Sequence, residues 1–202
     1  MKVFKRFRGV ESDDDPEVIE ATNEWKKTRK QYAALAAAMA HAVRPLMDCA
    51  ERWQGVGDTL DSLQMGQAVN MVSLIQSVSE TEKRTSQSLA RYASLLESKL
   101  IPPILHAFDE SKSSFEEEKK AYKQAKKDLK SKFDKGAEEE EVHMMEETVS
   151  DCAKKLTKAI RESLKSAGKV LMQSLYTAYR AHRMYHQLAL EAHEQEFTFV
   201  LR

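Results

Sequence analysis

"IPPILHAFDESKSSFEEEKKAYKQAKKDL", residues 101–129, places one apolar residue at every seventh position: Ile101, Phe108, Phe115, Tyr122 and Leu129. A period of seven aligns these side chains along one edge of an α-helix that packs lengthwise on other helices. Pro102 and Pro103 remove two backbone donors near its start and predict a bend. Beyond Glu118 the segment is crowded with lysine.

The same period runs through the flanking sequence. Upstream, Trp25, Tyr32, Met39, Leu46, Trp53 and Leu60 form one track, and Leu35, Ala42, Cys49, Val56 and Leu63 a companion. Asp15-Pro16-Glu17 reads as a helix start: an acidic cap, proline in the first turn, and a carboxylate at the positive end of the dipole. Pro45 falls inside the pattern and predicts a bend rather than an end. Gly55, Gly57 and Gly66 predict a turn around residues 62–68. A second helix, about 68–135, opens on a broadly apolar stretch (Val69, Val72, Ile75, Val78), crosses a polar stretch from Ser79 to Ser88, and rejoins the seam at Leu89, Tyr92 and Leu96. Lys132 and Lys135 before Gly136 make a good stop. A third helix, about 138–200, carries Val142, Met145, Val149, Cys152 and Leu156, then slips frame to Ile160 and Leu164, a stutter that locally unwinds a supercoil.

The expectation is an all-α protein: an elongated antiparallel three-helix coiled coil with helices kinked at Pro45, Pro102 and Pro103. Helix 1 covers about 16–61, and a flexible segment, first basic and then acidic, occupies 1–15. Helices of about 65 residues would be roughly 100 Å long. Such a rod buries little core per residue and calls for a partner chain.

Composition narrows the function. The 202 residues hold 32 Lys+Arg against 32 Asp+Glu, so net charge names no partner and only its distribution can. The two cysteines, without metal-ligand spacing, suit a reducing compartment as small packed groups. With no secretory leader and no run of about 18 apolar residues, the reading is a cytoplasmic chain. A catalytic role finds no phosphate loop or nucleophile motif. Glu140-x-x-His143 occurs once where a di-iron bundle needs two copies, and His182 and His186 read as surface histidines. No metal and no cofactor is expected. Nucleic acid is not expected either, because no aromatic residues interleave the lysines on their outer face.

Two features point to partners. The apolar arc widens along the last part of helix 3 and the first part of helix 2, which predicts a symmetric homodimer through Val72, Ile75, Leu171, Leu175, Tyr179, Tyr185 and Leu188. At the other end, two adjoining helices are crowded with basic residues that would meet a membrane: Lys119, Lys120, Lys123, Lys126, Lys127, Lys130, Lys132 and Lys135 on one, with Lys112, Lys119, Lys123, Lys126, Lys127 and Lys130 on its outward side, and Lys154, Lys158, Arg161 and Lys165 on one face of the next. Each basic residue at an anionic bilayer contributes on the order of 1 kcal/mol, so several suffice for reversible docking. The opening MKVFKRFRG reads either as a short amphipathic wedge built from Lys2, Phe4, Lys5, Arg6 and Phe7 or as a basic tail.

Taken together, "LLESKLIPPILHAFDESKSSFEEEKKAYKQAKKDLKSKF" (95–133) and "SLYTAYRAHRMYHQLALEAHE" (174–194) resemble the BAR domain superfamily, with a proline kink, an aromatic residue and then the lysine pair Lys119 and Lys120 before Tyr122. The resemblance implies a crescent-shaped homodimer, peripheral on membranes. It implies binding to anionic phospholipid (a phosphoinositide or phosphatidylserine), sensing or imposing curvature in membrane trafficking or endocytosis, and phosphate contact by Lys119, Lys123, Lys126, Lys127 and Lys130. The alternative is a coiled-coil scaffold or small-GTPase effector that never touches lipid.

Overall fold

The computed structural model describes residues 14–63 and 69–200. They form α1 (Pro16–Ser62), α2 (Val69–Leu95), a π-helical turn (Leu96–Leu100), α3 (Ile101–His106), α4 (Asp109–Asp134) and α5 (Glu139–Val200), with no strand among the described residues. Two compact units share these helices: Met1–Tyr32 with His106–Val170, and Ala33–Leu105 with Leu171–Arg202.

The helix ends follow their local chemistry. The Glu17 N–H donates to Asp15 Oδ1 at 2.9 Å, which satisfies one orphan donor of α1. Gly136 adopts φ +67°, a conformation that favours glycine. Its N–H donates to Phe133 O, and the next N–H, of Ala137, reaches back to Lys132 O, both at 3.1 Å. This pair closes α4 in a Schellman motif and turns the chain into α5. Glu139, Glu140 and Glu141 then occupy the positive end of α5.

The span expected as one bent second helix is divided in four. Pro102 and Pro103 cannot donate to the residues four before them, and the ladder widens just upstream: the Ile101 N–H donates to Leu96 O, five residues back. In the second unit this widened turn has a packing role. Leu96, Leu100 and Ile104 are all buried and are spaced by four, a step that would drift around an ordinary helix. Pro45 lies inside α1, which runs on to Ser62.

In the first unit, α1, α4 and α5 pack around an aromatic core. Trp25 meets Phe108 and Phe115 edge-on, with centroids 5.5 and 5.4 Å away, and Tyr32 meets Phe108 at 5.0 Å. Trp25 Nε1–H donates to the buried Ser163 Oγ at 3.1 Å, and the Asp15 N–H donates to Tyr122 Oη at 3.0 Å. Residue numbers thus rise on α1 as they fall on α4, so these two helices run antiparallel.

The second unit departs from the large-residue tracks read in the sequence. Its seam on α1 is Ala36, Val43, Ala50 and Gly57, small residues seven apart; Trp53, Val56 and Leu63 are exposed, and so is Cys49. The "polar stretch" of α2 is the part that meets them. Ser79 (0% exposed) donates to Gly57 O at 2.8 Å, and Ser86 (5%) to Ala50 O at 2.6 Å. These two bonds set an antiparallel register in which small side chains let the backbones approach. Serines enter a core cheaply when a carbonyl accepts their proton. Lys83 and Ser79 both bond Asp61, and the Lys83 hydrogen bond first, then that of Ser79, holds the Asp61 carboxyl below its usual range.

The glycines test this seam. A Cβ on Gly57 would lie 2.7 Å from Lys83 Cγ and 3.1 Å from Ser79 O, whereas one on Gly55 meets nothing within 4 Å. Gly55→Ala should stabilise by about 0.5–1 kcal/mol through the unfolded chain. Gly57→Ala should instead destabilise by about 1–2 kcal/mol, because overpacking exceeds the propensity gain. Urea denaturation of the two variants should give shifts of opposite sign.

Candidate functional site

Two surfaces stand out, one in each unit. In the first, α4 buries Phe115, Tyr122 and Ala125 and turns its lysines outward. These lysines are not equivalent. Lys119 pairs with Glu116 at 3.4 Å, Lys132 with Glu141 at 2.7 Å, and Lys126 with Asp14 at 2.7 Å while lying over the Tyr122 ring at 5.6 Å. Lys120, Lys123, Lys127 and Lys135 are exposed, and no carboxylate lies within 4 Å of them among the described residues. Lys120, Lys123 and Lys127, with exposed Lys130, are spaced by three and four and share one face.

The matching stripe on α5 gathers around a cavity lined by Lys154, Lys158, Arg161 and Lys165, together with Glu17, Thr157 and Glu162. Lys154 is also 3.4 Å from Asp151. The start of α1 therefore brings an acid to each basic stripe: Asp14, just before the helix, pairs with Lys126 of α4, and Glu17, in its first turn, lines the α5 cavity. Sequence reasoning missed Asp14 because it assigned residues 1–15 to a flexible lead-in, and it placed Glu17 at the helix start without the means to see the α5 lysines beside it. The signal was present in the Asp15-Pro16 cap, which holds the acids at an ordered helix start.

In the second unit, α5 exposes apolar side chains along its length. Met172 is 69% exposed, Tyr176 and Tyr179 are each 63%, and Leu190 is 59%. With Arg183 and His186 they step 4, 3, 4, 3, 4, which is the spacing of a coiled-coil seam. Of the residues expected in a dimer contact, Leu175, Tyr179 and Leu188 are exposed, while Val72, Ile75, Leu171 and Tyr185 are half-buried. Tyr185 is partly covered by Tyr92, stacked at 5.9 Å and 16°, and burial raises the Tyr92 hydroxyl pKa.

Lys2, Phe4, Lys5, Arg6 and Phe7 lie outside the described residues. Among the described residues no group of three or more His, Cys, Asp or Glu could hold a metal, and no helix is long and apolar enough to cross a membrane. His143 lies 3.7 Å from Glu146 and from Glu147, and His182 and His186 face each other at 3.1 Å.

No protein-family model matches the sequence, and no curated protein does. Among solved structures, the chain is similar to the N-terminal I-BAR domain (1–259) of D. discoideum IBARa, at 12% identity, with 91% of this chain and 89% of that one covered and a TM-score of 0.68. It also matches a BAR protein from Galdieria sulphuraria at 10% identity, with 94% and 100% covered and a TM-score of 0.45. The arrangement of helices described above is accordingly the fold seen in the D. discoideum I-BAR domain.

Proposed function

We propose that this chain is a non-enzymatic, peripheral membrane module of the cytoplasm that docks on anionic bilayers through the lysine face of α4 and acts as a homodimer joined through α5. The observation that carries the reading is the face formed by Lys120, Lys123 and Lys127: three exposed lysines at helical spacing with no carboxylate within 4 Å among the described residues. Such a face favours a dense anionic surface, and a bilayer containing phosphatidylserine or a phosphoinositide supplies one. Sharing a fold with BAR domains supports a curvature-related role in trafficking.

Two measurements test it. The protein should pellet with phosphatidylserine-containing vesicles and stay in solution with phosphatidylcholine alone, and pelleting should fall as salt screens the contact. Equal pelleting with both lipids, or none with either, sinks the membrane reading. Dimerisation is a separate matter. Burying the α5 stripe should give twice the chain mass in light scattering. Met172→Glu with Tyr176→Glu, which places charge on the first two apolar positions of that stripe, should return the mass of one chain.

A further inference from the structure

The first unit contains a cavity whose interior the membrane reading does not use, although Lys123 on its rim also belongs to the lysine face. It lies among α1, α4 and α5 and measures about 190 Å³. Its walls are Val18, Trp25, Phe115, Tyr122, Leu156 and Ile160, all buried side chains. The two walls that carry polar atoms have used most of their capacity: Trp25 Nε1–H donates to Ser163 Oγ, and Tyr122 Oη accepts from the Asp15 N–H and keeps one O–H to give. The inner wall therefore offers water few partners, and left unfilled it loses dispersion contacts along that wall. An engineered apolar cavity of about 150 Å³ stays dry and takes up benzene. This cavity is somewhat larger, and it suits the last several carbons of one alkyl chain.

The rim gives the ligand its charge. Two carboxylates and three lysines line it, but both carboxylates are engaged, Glu116 with Lys119 and Asp14 with Lys126. Lys26 and Lys123 are left as exposed cations with no carboxylate within 4 Å among the described residues. We propose that this cavity binds a single-chain anionic amphiphile of the fatty-acid type, its tail between Trp25, Phe115 and Ile160 and its head on Lys26 and Lys123. Such a ligand would tie α1 to α4 and α5 from within, so occupancy would also stabilise the first unit.

Trp25 is a built-in reporter. The chain has two tryptophans, and Trp53→Phe leaves only Trp25. A fatty acid brominated at its terminal carbon, added as monomer, should quench Trp25 fluorescence saturably. The brominated alcohol of equal length should bind about tenfold more weakly, since it lacks the charge-assisted contact. Lys26→Glu should weaken the acid by a similar factor and leave the alcohol unchanged. Lys26 is not on the face proposed to meet the bilayer, so this variant should still pellet with vesicles, and the two readings fail separately. Thr22→Phe, which fills the cavity from its half-buried lip, should abolish quenching by both, with circular dichroism confirming the fold. If that variant does not fold, Lys26→Glu carries the test alone. Absence of saturable quenching, equal affinity for acid and alcohol, or indifference to Lys26→Glu would overturn the proposal.

Discussion

Replacing Lys120, Lys123 and Lys127 together with glutamate should lower binding to phosphatidylserine-rich vesicles by on the order of a hundredfold while leaving helix content and melting temperature unchanged. Each lysine at an anionic surface contributes about 1 kcal/mol, so losing three removes about 3 kcal/mol, or roughly two powers of ten. Reversal rather than neutralisation adds repulsion, so this figure is a lower bound. The fold should tolerate the change because all three side chains are exposed and make no ion pair among the described residues. Lys126→Glu is the informative contrast. It breaks the 2.7 Å pair with Asp14, places two carboxylates together and removes the cation from the Tyr122 ring. Its cost should appear as a stability loss of about 1 kcal/mol, with a smaller effect on pelleting. Vesicle sedimentation and thermal melts of the two variants should therefore rank them in opposite orders. If the triple variant pelleted like the parent protein, the lysine face would have no part in docking.

That contrast was not legible in the sequence, and the reason is physical. Periodicity places Lys119, Lys123, Lys126, Lys127 and Lys130 on the outside of a helix, but it cannot show which of them finds a carboxylate on another helix. The partner of Lys126 is Asp14, 112 positions away. The fold class was legible, because Phe108, Phe115 and Tyr122 at heptad spacing are buried as expected and the proline pair marks a break in regular helix. The second-unit seam was misread because hydrophobic tracks weight large side chains. There the close contact is made by Ala50 and Gly57 against Ser86 and Ser79, residues that look loop-like or polar until their hydroxyls meet a carbonyl. A seven-residue recurrence of small residues, Ala36, Val43, Ala50 and Gly57 on one helix and Ser79, Ser86 and Ala93 on the other, was the available signal.

Trp25→Ala should be the most damaging single substitution in the first unit, at about 3–5 kcal/mol. The indole is buried, lies edge-on to both Phe108 and Phe115, and holds the hydroxyl of the buried Ser163. Truncation removes the two aromatic contacts, opens a void continuous with the existing cavity, and leaves Ser163 Oγ without its donor. Trp25→Phe separates these effects. It retains most of the packing but not the indole N–H, so its cost should be about 1–3 kcal/mol, the range for a buried polar group left unpaired. Against a typical domain stability of about 5–15 kcal/mol, the alanine variant should shift the urea midpoint sharply, whereas the phenylalanine variant should remain folded. The loss should be concentrated in the first unit. Hydrogen exchange should therefore accelerate across the start of α1, α4 and the first part of α5, where side chains pack on Trp25. In the second unit the Ser79–Gly57 and Ser86–Ala50 bonds hold a separate seam. Uniform acceleration along all of α1 would show that the two units unfold as one and that the aromatic core is not a local keystone.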